Sequence, residues 1–208
     1  SMHDVDSIYR IPKLLQDAGI DKYVCKMLGF SCPIQNDSDS KWDVFLSRID
    51  SSSSEVVIGI TGKYTQIRDA YASLIHALQH AAIACEVNLR IKWIETTEIE
   101  KGLRSVESEL SDVSGIVVPG GFGTRGVEGK IACVKYAREH GMPYLGLCYG
   151  FQMAVIEYAR NVCGLSGAHT TETSNDCLHK VIDILPEQKK IEGLGGNMRL
   201  GGREVEIS

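Results

Sequence analysis

The sequence lacks a basic excess, a long apolar run and an abundance of aromatic residues. Its 22 Lys and Arg residues are outnumbered by 27 Asp and Glu residues, which gives a formal net charge of −5 at pH 7. Nucleic-acid-binding proteins and polybasic membrane anchors normally carry a basic surplus, so neither class is indicated. No apolar run approaches the ~18 residues that a bilayer-spanning helix requires. The 208 residues suffice for one domain with an appendage.

Features of secreted and metal-binding proteins are also missing. The first residues contain no apolar signal-peptide core. The seven cysteines are odd in number and scattered, which favours reduced thiols over a disulfide framework. We therefore expect a cytoplasmic protein. His76 and His80 have the spacing of some zinc sites, but no third ligand accompanies them. We predict no metal site and assign this pair to a solvated or lightly packed helix face.

A run of four serines, residues 51–54, divides the sequence into two parts. Before it lie apolar stripes with helical spacing, one beginning at Ile8 and one at Trp42, joined by a polar stretch over residues 35–40 that predicts a loop. These helices have little partner sequence of their own. We therefore predict a helical linker or docking segment over residues 1–54 and a separate domain over residues 55–208.

Strand and helix patterns alternate along the second part. The predicted strands are residues 56–60, 87–94, 115–118 and 144–147, and the predicted helices are residues 69–84, 127–139 and 150–162. This order predicts an α/β fold with three layers, in which helices cover both faces of a mostly parallel sheet. Ligands of such sheets bind at the carboxyl ends of the strands. The loops after Val118 and Leu147 are therefore the candidate site.

Two glycine motifs resemble nucleotide-binding loops without completing them. The segment Gly59–Tyr64 lacks both the first glycine and the final Ser or Thr of a phosphate loop. The segment Gly121–Gly126 fits G-x-G-x-x-G, but no carboxylate stands at the end of the next strand. We interpret the second motif as a loop whose backbone N–H groups approach a bound oxygen atom.

The segment Gly146-Leu-Cys-Tyr-Gly150 has the pattern of a nucleophile elbow, with Cys148 as the nucleophile. Flanking glycines permit the strained turn from strand to helix. The N-terminus of the following helix favours a thiolate through its positive partial charge. The N–H of Tyr149 is one predicted oxyanion donor, and the Gly120-Gly121 turn supplies the other. The alternative is that Cys148 is an inert buried thiol in a glycine-rich turn. The other six cysteines lack this context, and we interpret each of them as structural.

Pro119-Gly-Gly-Phe-Gly123, together with Gly146-x-Cys148-x-Gly150, resembles the class I glutamine amidotransferases. The resemblance implies a flavodoxin-like fold and hydrolysis of L-glutamine to glutamate and ammonia through a thioester. Further runs, including residues 6–12, 123–129, 170–172 and 195–201, resemble those members whose glutaminase domain follows an ATP-dependent synthetase domain that aminates UTP to CTP. The implied whole enzyme is a homotetramer that uses ATP, Mg²⁺ and UTP with GTP as activator, while this domain itself needs no cofactor.

The resemblance also assigns roles to single residues. Cys148 is the nucleophile, and the N–H groups of Gly121 and Tyr149 form the oxyanion hole. The residues that contact the substrate are Gly121, Phe122, Tyr149, Gln152 and Glu172, and Glu172 pairs with its ammonium group. The remaining candidates, for a lid or an interface, are Arg125 and Glu128.

The sequence departs from the family in one respect. The family carries a catalytic His-Pro-Glu late in the domain, but none of the six histidines here is followed by Glu two positions on. We expect that the domain is incomplete at its C-terminus and that this chain alone turns over glutamine poorly. The alternatives are another glutamine amidotransferase, a γ-glutamyl hydrolase, or a non-catalytic docking or regulatory module.

Overall fold

The computed structural model of the chain describes residues 5–31, 37–50, 54–62 and 68–184. The chain forms two compact units: the first is Ser1–Val56 with Tyr71–Leu89, and the second is Val57–Ala70 with Arg90–Ser208. Among the described helices, none is both long enough and apolar enough to cross a bilayer.

The first unit is helical. A short 3₁₀ helix over Ile8–Arg10 is capped by Ser7, whose hydroxyl accepts a hydrogen bond from the Tyr9 N–H. The α-helices are α1 (Ile11–Asp17), α2 (Ile20–Leu28), α3 (Asp37–Asp50) and α4 (Ala72–Ala84). The loop prediction for residues 35–40 is wrong at residues 37–40, which form the first turn of α3; residues 35 and 36 lie outside the described part. Polar residues suit a first helical turn because its N–H groups have no acceptor within the helix.

A half-buried aromatic cluster joins the helices of this unit. The ring of Tyr9 packs edge-on or tilted against Trp42, Phe45, His76 and His80, with centroid separations from 5.1 to 6.5 Å. The Tyr9 hydroxyl lies 3.1 Å from Nδ1 of His76. The two histidines with metal-like spacing thus contact aromatic rings, and no group of three or more His, Cys, Asp or Glu side chains within the described residues could hold a metal ion.

The chain has a four-stranded sheet in the order β2-β1-β3-β4, most of whose residues belong to the second unit. These strands are β1 (Ser54–Gly62), β2 (Val87–Glu95), β3 (Gly115–Val118) and β4 (Tyr144–Gly146). Strand β3 pairs in parallel with both β1 and β4, which aligns Gly115 with Ile58 and Gly146 with Val118. All four residues of β3 are buried, as its unbroken apolar run predicts. The predicted α/β class with a parallel sheet, preceded by helices, is confirmed.

The helices of the second unit follow or join these strands. They are α5 (Thr96–Glu100), α6 (Val106–Leu110), α7 (Val127–Glu139) and α8 (Tyr149–Asn161), and a two-stranded parallel sheet pairs β5 (Ala168–Thr170) with β6 (His179–Ile182). Helix α7 packs against α5 and α8, and α8 also contacts β3, β4 and β5. The core between them includes Ile94, Leu110, Val118, Met153 and Ile156, each at most 2% exposed. This packing fixes the ends of β3 and β4 relative to α8.

Two polar contacts and one glycine fix the position of α7. The carboxylate of Glu100 accepts hydrogen bonds from the N–H groups of Gly126 and Glu128 at 2.8 and 3.2 Å, so it caps the start of the helix. Further along, Arg138 binds the buried carboxylate of Glu157 on α8 through Nε at 3.0 and 3.1 Å. At Gly129 a β-carbon would lie within 2.0 Å of the Thr96 carbonyl oxygen. Helix α7 can therefore approach α5 closely only with glycine there.

Candidate active site

Cys148 lies in the sharp turn between β4 and α8, at the N-cap position of the helix. Its backbone has φ 51° and ψ −102°, a conformation that a residue with a β-carbon rarely adopts. Glycine is required on both sides. A β-carbon at position 150 would lie 2.0 Å from the Val118 carbonyl oxygen, and one at position 146 would lie 2.7 Å from the Gly150 carbonyl carbon. The turn leaves Cys148 exposed, as a nucleophile must be.

Backbone hydrogen bonds tie this turn to the neighbouring strand. The Leu147 N–H donates to the Val118 carbonyl at 2.9 Å, and the Gly150 N–H donates to the Leu147 carbonyl at 2.9 Å. From below, the Tyr144 hydroxyl donates to the Gly150 carbonyl at 2.6 Å. Burial raises the pKa of Tyr144, so its hydroxyl remains a donor throughout the physiological range. The strained turn is thus held by contacts outside itself.

The glycine loop that follows β3 lies beside the nucleophile. A β-carbon on Gly120 would be 3.7 Å from Cβ of Cys148. Gly121 is exposed and has open space around its α-carbon, and Phe122 is 74% exposed. Tyr149 is the first residue of α8, so its N–H has no acceptor within the helix. The two strand ends that carry the predicted oxyanion donors are therefore adjacent, because β3 and β4 are paired neighbours.

Glu172 reaches this loop from the turn after β5. Its Oε1 accepts a hydrogen bond from the Gly123 N–H at 3.1 Å. The carbonyl of the same glycine accepts a hydrogen bond from the Tyr149 hydroxyl at 2.7 Å. That hydroxyl also lies 3.3 Å from the Thr173 hydroxyl. Three segments that are far apart in sequence therefore meet at one glycine.

Tyr149 is only 1% exposed, although the cysteine before it is open to solvent. Burial raises the pKa of the Tyr149 hydroxyl, and the charges of Glu172 and Glu100 act in the same direction against the hydrogen bond with Thr173. The phenol therefore remains protonated and able to donate. The Lys130 Nζ stands 5.5 Å from the centroid of the Tyr149 ring. The sequence pattern predicts an oxyanion donor and a substrate contact at Tyr149, but it does not indicate these contacts of the hydroxyl.

Gln152, one turn into α8, has a buried Oε1 that accepts no hydrogen bond from the part of the chain the structure describes. A buried amide oxygen without a donor is costly, on the order of 1–3 kcal/mol. A ligand that brings an N–H group would remove this cost. This geometry is compatible with the substrate contact predicted for Gln152.

The two candidates for a lid or interface differ in their surroundings. Arg125 is exposed. The Glu128 carboxylate accepts hydrogen bonds from Nη1 of Arg160 at 2.8 and 3.1 Å, and Nε2 of His169 lies 3.5 Å from it. Glu128 therefore joins the start of α7 to α8 and β5. Arg125 has the freedom that a lid residue needs.

The ring nitrogens of His169 face the backbone of Thr170 and the carboxylate of Glu128. Nδ1 accepts a hydrogen bond from the Thr170 N–H at 2.9 Å, and Nε2 lies 3.5 Å from Glu128. Burial lowers the pKa of His169, and the positive charge of Arg160 adds to the effect while Glu128 opposes it. The ring is therefore neutral near pH 7, and its hydrogen bond with the Thr170 N–H helps to fix the loop that leads to Glu172.

The described cysteines are all free thiols with different environments. Cys85 and Cys163 are exposed like Cys148, but neither of them has a positive φ itself. Cys133 is buried in the core, and burial raises the pKa of its thiol to about 12. Cys148 is the only cysteine of the described part that combines exposure, positive φ and the start of a long helix.

The comparisons with known proteins agree with this geometry. The profile of the family "Glutamine amidotransferase class-I" matches residues 66–207. The chain therefore belongs to the class I glutamine amidotransferases.

Within that class, the chain is similar over nearly its whole length to CTP synthases. It is 48% identical over 205 residues to the CTP synthase of Clostridium acetobutylicum, an alignment covering 99% of this chain and 38% of that protein. The CTP synthase of Carboxydothermus hydrogenoformans is 50% identical over 199 residues, which cover 95% of this chain and 36% of that protein. The chain thus spans well under half the length of these curated relatives.

A solved structure shows the same likeness. The glutaminase domain of Trypanosoma brucei CTPS, solved with bound acivicin, is 37% identical and superposes with a TM-score of 0.57. The superposition covers 64% of this chain and 51% of that chain. Sequence and fold therefore point to the same group of relatives.

Proposed function

We propose that this chain is the glutamine-hydrolysing domain of a CTP synthase. The observation that carries the proposal is the exposed Cys148 at φ 51°, between two glycines that no larger residue could replace, at the start of α8. This arrangement presents an exposed thiol at the end of β4, directly before the first N–H groups of α8. It suits the attack of a thiol on a carbonyl carbon.

The reaction follows from the groups at hand. The Cys148 sulfur attacks the side-chain carboxamide carbon of glutamine, and the carbonyl oxygen becomes an oxyanion that accepts hydrogen bonds from the N–H groups of Gly121 and Tyr149. The C–N bond then breaks, and the nitrogen takes up a proton and leaves as ammonia. Water hydrolyses the γ-glutamyl thioester, which releases glutamate and restores the thiol. Losing one oxyanion donor would cost on the order of 10²–10³ in rate.

The substrate's amino acid end is assigned to the opposite side of the site. Glu172 supplies a negative charge for the α-ammonium group, and Gln152 supplies a buried oxygen that lacks a donor. Phe122 provides an exposed ring at the edge of the glycine loop. These contacts would select glutamine over simple amides, which lack the ammonium group.

The proton transfers need a base that the described residues do not supply. None of the six histidines of the sequence stands in a His-x-Glu pair, and the ring nitrogens of His169 face Thr170 and Glu128. Part of the proposal is therefore that these 208 residues on their own turn over glutamine slowly. The missing base affects the proton transfers only, because glutamine binding and thiol attack use residues that are present.

In the whole enzyme, the ammonia would aminate UTP in a reaction driven by ATP with Mg²⁺ and activated by GTP. We assign the nucleotides and Mg²⁺ to a synthetase domain outside this chain, because the chain spans only 38% of the CTP synthase of Clostridium acetobutylicum. Residues 1–54 would dock onto that domain. In support, α2 exposes an apolar stripe with helical spacing, formed by Ile20, Tyr23, Val24, Met27 and Leu28. A homotetramer in the cytoplasm completes the proposal.

The proposal is tested by labelling with acivicin, an electrophilic glutamine analogue. At pH 8.5, where thiols ionise without a base, the reagent should modify Cys148 first among the seven cysteines, and glutamine should slow the modification. Mass spectrometry of tryptic peptides reads out the site. Cys163 is the internal control because it is equally exposed but lies outside the turn.

Three outcomes would contradict the proposal. Equal labelling of Cys148 and Cys163 would mean that the site does not recognise the amino acid part of the reagent. Selective labelling that glutamine does not slow would point to a reactive thiol of another function. Absence of labelling would favour a docking or regulatory module.

A further inference from the structure

The side chain of Tyr149, the residue after Cys148, closes a ring of contacts. The ring consists of three hydrogen bonds and the peptide bond between Glu172 and Thr173. Its hydroxyl donates to the Gly123 carbonyl at 2.7 Å, and the Gly123 N–H donates to Glu172 Oε1 at 3.1 Å. The neighbour of Glu172 in the chain, Thr173, returns to the Tyr149 hydroxyl at 3.3 Å. The path therefore runs from Tyr149 through Gly123, Glu172 and Thr173 back to Tyr149.

We propose that the Tyr149 hydroxyl is a positioning residue that sets the affinity for the amino acid end of the substrate. It acts through Gly123 and Thr173, which fix the place of the Glu172 carboxylate. This inference rests on the proposed function, since it assumes that Glu172 binds an α-ammonium group. It concerns the phenol alone and is separate from the role of the Tyr149 backbone N–H.

The surroundings of the ring explain why one hydroxyl has this influence. Glu172 and the glycine-loop residues 120–122 are exposed, so core packing does little to hold them. Gly123 has φ 83°. Glycine adopts positive and negative φ about equally, so the backbone of Gly123 does not itself hold the loop in one conformation. Tyr149, by contrast, is 1% exposed and belongs to a long helix in the core. Its hydroxyl thus connects a buried helix to two exposed loops, the one at residues 120–123 and the turn at Glu172.

The second carboxylate oxygen of Glu172 is the group that would bind the ammonium group of the substrate. A carboxylate held by one backbone N–H keeps its second oxygen available for a cation. If the ring opens, Gly123 and the turn at Thr173 can move apart, and the carboxylate is no longer presented in one place. The ammonium group then binds with a larger loss of conformational freedom. The effect belongs to binding, because the oxyanion donors are backbone groups that the hydroxyl does not contact.

The test compares Tyr149→Phe with the unchanged chain in acivicin labelling at pH 8.5. The half-saturating concentration of the reagent should rise about tenfold, the factor expected for the loss of one or two hydrogen bonds. The limiting rate should change by less than about threefold. The rate with iodoacetamide, which has no amino acid end, should change equally little.

Variants of Thr173 and Tyr158 supply the controls. Thr173→Val should raise the half-saturating concentration, and Thr173→Ser, which keeps the hydroxyl, should restore it. Combining Thr173→Val with Tyr149→Phe should add less than the sum of the two effects. Tyr158→Phe removes a hydroxyl from the exposed side of the same helix and should leave labelling unchanged.

The outcomes separate this inference from the proposed function. If the unchanged chain is not labelled selectively at Cys148, the proposed function fails. If it is labelled selectively but Tyr149→Phe leaves the half-saturating concentration unchanged, only the positioning role fails. A parallel fall in the rates with acivicin and iodoacetamide would also overturn it, because it would show a general disturbance of the turn.

Discussion

Replacing Cys148 by glycine should stabilise the protein relative to replacing it by alanine. At φ 51° and ψ −102° the residue occupies a region where a β-carbon is strained. Strain of this kind costs of order 1–3 kcal/mol. Cys148→Ala retains the β-carbon and therefore the strain, while Cys148→Gly removes both. The exposed side chain contributes little burial to either comparison.

The expected magnitude is the strain relieved minus the extra freedom that glycine gives the unfolded chain. That freedom disfavours glycine by roughly 0.5–1 kcal/mol. The balance favours glycine over alanine at position 148 by about 1 kcal/mol. Ala154 is the matched control, because it lies in the same helix with ordinary helical geometry. There, Ala154→Gly should destabilise by about 1 kcal/mol.

The assay is urea unfolding of the chain with each variant, followed by circular dichroism. The sign of the alanine-to-glycine difference in the free energy of unfolding should reverse between positions 148 and 154, with similar m-values. If glycine is the less stable residue at both positions, the positive φ of Cys148 is wrong. The nucleophile elbow, and the reaction assigned to it, would then lose their geometric basis.

Two further predictions concern the frame of the site. Gly150→Ala should lower the free energy of unfolding by about 2–4 kcal/mol, because the new β-carbon meets the Val118 carbonyl. Gly121→Ala is the control and should change it little, because open space surrounds that residue. Equal urea midpoints of the two variants would contradict the close packing at Gly150. Because the pKa of His169 is lowered, the unfolded chain takes up a proton while the folded ring is still neutral. Stability should therefore fall as pH drops below about 6.5, and His169→Asn should flatten that fall; an unchanged profile would refute it.

Much of the fold could be predicted because local patterns determine it. The segments of β3 and α7 were predicted with the bounds that the structure has, since a buried apolar run and a helical stripe leave little ambiguity. The pairing of β5 with β6 was missed. Strands of three and four residues carry too little alternation to recognise, and their pairing depends on contacts that sequence spacing does not reveal.

The site divides in the same way. The position of Cys148 between two glycines follows from the chain itself, because the strained turn requires those residues. The contact of Glu172 with Gly123 spans 49 positions, and that of the Tyr149 hydroxyl with Gly123 spans 26. Such contacts arise from the folding of separate segments onto one another. Spacing along the chain could therefore identify the nucleophile but not the side chains that surround it.

The close approaches at Gly129 and Gly150 have a consequence for the evolution of this scaffold. At both positions only a hydrogen atom fits beneath a neighbouring carbonyl, whereas Gly121 borders open space. Substitutions during neutral drift would be rejected at the first two positions and accepted at the third. Specificity for other substrates would therefore arise by changes around Gly121 and Phe122, while the turn that carries the sulfur is inherited unchanged.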